Sequence, residues 1–177
     1  SPRSTDTNLP IGPRTAEFRL DSSIGTSEAQ PIAPDGKPIF ITRNEQRVYE
    51  LRYAFAEDSN QPVELSLPAD HLGAGRFRQI EWSSAPLRLG WLRRSTGDLV
   101  AMIHDPQEEV LGWAPCSLSG DANLNAIAVS KTPDGTRDVL YCVVRREING
   151  QEVRYVEVQA PFYADVVAAG DPADAIP

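Results

Sequence analysis

Hydrophobic residues recur along this chain with a period of two, in runs of five to nine residues separated by turn-forming residues. That is the period of a half-buried strand, not of a helix. The clearest case runs from Asp138 to Val158, where two β-rich segments flank Ile148-Asn149-Gly150. Asn-Gly between alternating apolar runs is the strongest short-range hairpin signal, because glycine takes positive φ without a Cβ clash. Two registers compete. A two-residue loop sets Glu147 against Glu152 and Arg145 against Arg154, and facing like charges are destabilising. A three-residue loop with Gly150 in a bulge pairs Arg146 with Glu152, Val143 with Tyr155, Cys142 with Val156 and Leu140 with Val158. At about 0.2–1 kcal/mol per pair, the second register is preferred.

The same reading places strands at Pro38 to Thr42 and Arg47 to Phe55, flanking a polar turn, Arg43-Asn44-Glu45-Gln46. Alternation of Tyr49, Leu51, Tyr53 and Phe55 marks the apolar side of the second of these. Pro68 suits a first helical turn and Gly73 a helix stop, which predicts one short helix near 67–72. Further strands are predicted at Arg76 to Trp82, Leu87 to Arg94, Leu99 to His104, Glu109 to Trp113 and Leu124 to Ser130, with Ser95-Thr96-Gly97-Asp98 and Pro133-Asp134-Gly135 as turns.

These segments repeat. Ile80-Glu81-Trp82-Ser83 resembles Ile127-Ala128-Val129-Ser130, 47 residues on. Leu89 to Arg94 before a glycine turn resembles Leu140 to Arg146 before another, and Gly97 and Gly150 lie 53 residues apart. Ile39 to Leu51 is a weaker third copy. Several short strands repeating every 40–50 residues or so fit propeller blades. About three blades fit in this chain, fewer than the usual 4–8, so the open faces call for partners. The expected fold is all-β: repeated antiparallel hairpins forming propeller-like blades or a sandwich, with one short helix. Pro2, Pro10 and Pro13 mark an extended arm over 1–20, the hairpin repeats occupy 21–160, and 161–177 reads as a loose tail.

Composition sharpens this picture only in places. A chain of 177 residues, 41% hydrophobic and 24% charged, is globular and long enough for a real core. No apolar run approaches the roughly 20 residues of a membrane-spanning helix. The chain opens on Ser1 with neither Met nor an apolar leader, so no signal peptide is expected and a cleaved or trimmed product is. The net charge of −8 argues against a surface that grips phosphates, and suits one that nucleic acid slides past. Cys116 and Cys142 are the only cysteines, which indicates no disulfide framework and a reducing compartment.

Candidate chemistry is thin. His71 and His104 could join Asp70 or Asp105 around a metal, but no metal-ligand spacing is present. Asp105, Glu108 and Glu109 sit in a turn, where acidic residues are ordinary turn formers. Neither cysteine has a histidine base in a catalytic context. Gly73-Ala74-Gly75 follows a helix, whereas a phosphate cradle precedes one. Arg93-Arg94 and Arg145-Arg146 are expected to form cross-strand ion pairs with Asp98, Glu147 and Glu152. Trp82, Trp91 and Trp113 read as core or inter-blade packing, with a carbohydrate platform as the rival. No catalytic, cofactor or metal residue is assigned, no cofactor is expected, and the chain is not expected to be an enzyme.

The order of these motifs resembles the tail tubular protein B or nozzle family of short-tailed phages, akin to packaged-DNA stabilisation proteins. The likeness runs through Ser23-Ile24-Gly25-Thr26-Ser27-Glu28-Ala29-Gln30-Pro31-Ile32, Ile39-Phe40-Ile41-Thr42-Arg43, Val48-Tyr49-Glu50-Leu51-Arg52-Tyr53 and Leu65-Ser66-Leu67-Pro68-Ala69-Asp70-His71-Leu72. Trp91 to Val100 is similar to the family's hairpin, with Gly97 and Asp98 in reversed order. Glu108 to Trp113 matches a strand ending in Trp, and Val143 to Gly150 with Val153 to Glu157 is the nearest match. The likeness covers most of 20–160, while family members are much longer. It implies a ring-forming structural component of a virion tail or head-tail assembly, next to the portal, assembled in the bacterial cytoplasm. Its implied partners are copies of itself and neighbouring tail or portal proteins, with DNA passing unbound. It carries over no catalytic residues. The rival expectations are a receptor- or glycan-binding fibre module, and a glycan hydrolase with two carboxylates facing one cleft.

Overall fold

In a computed structural model, which describes residues 2–4, 10, 12–13, 16–18, 22–120 and 122–160, the alternating runs become strands of antiparallel sheets. A two-stranded ladder joins β1 (Pro2–Ser4) to β2 (Ala16–Phe18). The first sheet contains β3 (Ile39–Ile41), β4 (Val48–Ala54) and β5 (Ser59–Glu64). The middle sheet is a four-stranded meander of β6 (Phe77–Ser83), β7 (Leu89–Arg94), β8 (Leu99–Asp105) and β9 (Val110–Cys116). The last sheet contains β10 (Ala122–Lys131), β11 (Asp138–Ile148) and β12 (Gln151–Val158). The expected helix is a short 3-10 helix, Leu67–Gly75. The mostly β class stands, and the three sheets do not close into a propeller. The remaining parts of the 1–20 arm and the whole 161–177 tail lie outside the described residues.

The three sheets stack face to face. Ile80, Leu92, Val100 and Met102 of the middle sheet meet Ile39, Ile41, Val48 and Leu65 in one core. On the opposite face, Leu89, Trp91 and Leu99 meet Leu124, Ile127, Leu140, Cys142 and Val144 in a second core. A sheet covered on both faces loses the in-out alternation, so Leu89, Gly90, Trp91 and Leu92 are all buried.

The repeat is structural as well as textual. Ile80 and Ile127 occupy the same place in their sheets, each facing the preceding sheet. Both follow a β-bulge at the same position, between Phe77 and Gln79 in β6 and between Leu124 and Ala126 in β10. Each first strand also begins on the turn of the sheet before it. Phe77 N–H donates to Glu45 O at 2.6 Å, and Leu124 N–H donates to Gly97 O at 2.9 Å. Both acceptors sit in the same kind of turn with left-handed backbone, Glu45 at φ 63° and Gly97 at φ 88°.

Two expectations fail. The hairpin at Asn149-Gly150 takes the two-residue loop: Ile148 pairs with Gln151, Glu147 with Glu152, Arg145 with Arg154 and Val143 with Val156. Asn149 (φ 53°) and Gly150 (φ 75°) both adopt positive φ, as a tight hairpin turn whose twist matches the strands requires. The facing like charges are relieved sideways, because Arg145 and Arg154 both reach Glu152, at 3.1 and 3.3 Å. The second failure concerns β4. Its buried face carries Val48 and Glu50, whereas Tyr53 is 55% and Phe55 90% exposed. Alternation was present, but the more apolar phase faces outward. β5 was not expected at all, since Ser59-Asn60-Gln61-Pro62 carries little apolar signal.

Between the middle and last sheets, the Gln79 amide acts as a substitute peptide group. Its Nε2 donates to Ile127 O at 2.5 Å, and its Oε1 accepts from Ile127 N–H at 3.1 Å. Gln79→Leu strands both backbone groups of Ile127. The expected loss is about 1–3 kcal/mol in urea unfolding, and an unchanged midpoint would show that the amide bridge is not needed.

Candidate interaction surfaces and the buried polar cluster

Among the described residues, an ionisable cluster is buried between the first and middle sheets. Register sets Glu50 opposite Ile39, on the face of β4 that β8 covers. Glu50 is 1% and His104 4% exposed. His104 Nε2 lies 3.2 Å from Glu50 Oε1, and the Arg52 guanidinium donates to the other carboxylate oxygen. His104 Nδ1 has no partner. Nearby, Trp113 Nε1 donates to Leu65 O at 3.0 Å, and the ring packs 6.1 Å from Phe77. A carboxylate in apolar surroundings must be hydrogen-bonded to be tolerated, and both its oxygens are. The arrangement cross-links two sheets. Arg52 occupies one carboxylate oxygen and His104 faces the other.

The other singled-out residues disperse. His71 is exposed on the 3-10 helix, apart from the buried His104 in β8. Among the described residues no three His, Cys, Asp or Glu side chains are grouped to hold a metal. Asp105 accepts backbone N–H bonds from Gln107 and Glu108 at 3.0 and 3.4 Å, as a turn former does. Gly73 in the Gly73-Ala74-Gly75 stretch sits against the Gln46 carbonyl, where a Cβ would come within 2.2 Å. Cys116 and Cys142 are free thiols, and burial pushes both upward, Cys142 to about 11, which keeps them protonated and poor nucleophiles.

Ion pairing of the arginine doublets holds in part. Arg94 pairs with Asp98 at 2.9 Å and Arg145 with Glu152 at 3.1 Å. Arg146 instead grips Glu157, at 2.7 and 2.9 Å through two nitrogens. Arg93 is half-buried, and desolvation and then Arg78 lower its pKa. The tryptophans pack between the sheets. Trp91 is in the second core, and Trp82 and Trp113 lie against the first. The Arg88 guanidinium lies over the Trp82 ring, 5.8 Å from its centre.

The outer face of the last sheet carries Tyr141, Val143, Val156 and Val158, because Leu140, Cys142 and Val144 point the other way. Val156 is 69% and Val158 56% exposed. Beside the Asn149-Gly150 turn, an open concavity of about 700 Å³ is lined by Asn123, Arg145, Arg146, Glu147 and Glu152. It is polar and mixed in charge. Sequence reasoning missed this open face because the hairpin register, which decides what shares a face, was misread. No family model matches the chain, and no curated protein matches it either.

Glu50→Ala is expected to cost about 3 kcal/mol in chemical denaturation, since it leaves His104 Nε2 without a partner in a dry site. Glu50→Gln, which keeps an acceptor, should cost less. Equal losses would show that only volume matters. A second outcome concerns acid. Among the described residues, three carboxyls are held below their usual range: Asp134, to about 2, by Thr132 and Thr136; Asp35 by its bond to Arg88; and Glu157 by Arg146. A carboxyl lowered in the fold stabilises it above the unfolded pKa, near 3.8 for Asp and 4.5 for Glu, and that contribution vanishes as pH falls through the folded value. Urea midpoints should therefore fall from about pH 4 toward 2, and Asp35→Asn should make that slope shallower. An unaltered slope would remove Asp35 from the account.

Proposed function

We propose that this chain is a structural module of a phage virion, in the tail or at the head-tail junction beside the portal, lining or stabilising the DNA exit channel. The observation that carries the reading is the repeat stack: two sheet-on-sheet contacts are built alike, and the outer face of the last sheet is apolar and uncovered among the described residues. Such a molecule works through surfaces and symmetry. The order of its hairpins resembles that of the phage nozzle family, and the ionisable groups within it are engaged in holding sheets together. A net charge of −8 supports a wall past which DNA moves without sticking. Its partners on this reading are other copies and neighbouring tail or portal proteins.

A glycan-binding module is the weaker alternative, because the tryptophans that would form its platform lie between the sheets. Mass spectrometry of purified virions is expected to detect the chain in multiple copies. Electrophoretic mobility assays at physiological salt are expected to show no retardation of duplex DNA. Virions that lack the chain would sink the assignment, and tight DNA binding would sink the channel-wall role.

A further inference from the structure

The seam between the middle and last sheets holds a guanidinium with no counter-ion. Arg93 of β7 lies opposite Gln79 of β6 and Leu99 of β8. Leu99 is in the core shared with the last sheet, and Gln79 bonds to Ile127 of that sheet, so Arg93 is on the face that the last sheet covers. The charged groups around it are paired elsewhere. Arg78, at the β6 bulge, donates to Glu45 at 2.5 Å. Arg94 donates to Asp98 at 2.9 Å and to Leu72 O at 3.4 Å. The nearest carboxylate in the β6–β7 ladder is Glu81, opposite Trp91, and it accepts from Gln79 Nε2 at 3.1 Å. Among the described residues Arg93 makes neither an ion pair nor a side-chain hydrogen bond, and its Nε is enclosed without a partner.

A half-buried cation without a counter-ion is unfavourable, and a second cation beside it makes it more so. Burial and then the charge of Arg78 both push the Arg93 pKa down, as they do for a cation that its surroundings oppose. The chain has 25 Asp and Glu against 17 Lys and Arg, yet none of those carboxylates is bonded to Arg93. From this geometry we infer that Arg93, with Arg78 beside it, holds a small free oxyanion of the phosphate or sulfate type in the seam. A guanidinium presents N–H donors in a planar fork that fits two oxygens of such an ion. The bound ion offsets the repulsion between the two arginines and supplies an acceptor for Arg93. Enclosure of Nε and a net charge of −8 favour a small ion over a polyanion, which the acidic surface repels. Because the site lies where the last sheet docks on the middle one, an ion that binds only the folded chain stabilises it.

Titration calorimetry of the purified chain with sodium phosphate, at ionic strength held fixed with chloride, tests this. The expected result is saturable binding of one ion per chain, with Kd of about 1 mM or tighter. Arg93→Gln should weaken binding at least about tenfold, and Arg78→Gln by less. Arg93→Lys keeps the charge but loses the fork, and should fall between the parent and Arg93→Gln. Glu81→Gln removes a negative charge beside the site and should bind no more weakly than the parent. Urea unfolding in chloride checks that each variant is folded. In phosphate, the parent's midpoint should rise beyond the gain that exclusion of phosphate from the surface gives every variant, and that of Arg93→Gln should not. Absence of saturable uptake, uptake by Arg93→Gln equal to the parent's, or weaker uptake by Glu81→Gln would each overturn the inference. Displacement of phosphate by duplex DNA would overturn it too, by making a backbone phosphate the ligand. Uptake of the ion does not depend on whether virions contain the chain, so this inference and the virion assignment stand or fall separately.

Discussion

The middle sheet must be dry on both faces, and most of the structure follows from that. Antiparallel sheets usually keep one face in water and alternate accordingly. Here β7 cannot alternate, because the first sheet lies on one side and the last on the other. Its run of Leu89, Gly90, Trp91 and Leu92 is the result. Gly90 is part of the same constraint: a Cβ there would come within 2.8 Å of the Met102 side chain, so its smallness lets the adjacent methionine fill the layer.

A layer dry on both sides tolerates polar groups only where they are paired. Glu50 and His104 meet across the contact between the first and middle sheets, and Gln79 binds both backbone groups of Ile127 across the contact between the middle and last sheets. Each contact therefore carries one directional interaction within a largely non-directional one. Apolar faces alone would permit sliding, since burial scales with area and not with register. A hydrogen bond that must be made or paid for in desolvation selects one register. The rim is fastened by ions as well: Asp35 to Arg88 on one side, and Asp138 accepting Ser84 N–H at 2.5 Å and Ala85 N–H at 3.2 Å on the other.

Most strands, the turns and the short helix were legible because they are local, β5 being an exception. Turn residues with positive φ, such as Gly97 and Gly150, mark reversals wherever the chain is destined to pack. The 47-residue repeat was legible too, and its shared bulge explains why Ile80 and Ile127 match so well. What local pattern could not give was the choice of face. β4 has apolar side chains in both phases, and the phase holding Glu50 went inward because His104 and Arg52 were there to satisfy the carboxylate. Nothing within nine residues of Glu50 announces a histidine 54 positions away. The hairpin register failed for a related reason: counting only directly opposed pairs ignored the diagonal reach of Arg145 across to Glu152 and the reach of Arg154 along its own strand to the same carboxylate. Cross-strand diagonals lie within reach of long side chains, and at an exposed tip the turn geometry outweighs the small pair terms.

The apolar outer face of the last sheet and the net charge pull in opposite directions. Exposed Val156 and Val158 favour covering that face, while a charge of −8 on every copy repels the approach of another. Repulsion between surfaces is screened over a Debye length of about 8 Å at physiological salt, whereas an apolar contact is not weakened by moderate salt. Charge then governs the approach of another acidic molecule, and apolar area governs any contact that follows. The tip of the last sheet fits that division: Arg145, Arg154, Glu147 and Glu152 place both signs beside the apolar strip, so that the local field there is weaker than the net charge implies. A surface arranged this way keeps like-charged molecules apart at a distance and leaves close contact to be decided by shape and apolar area.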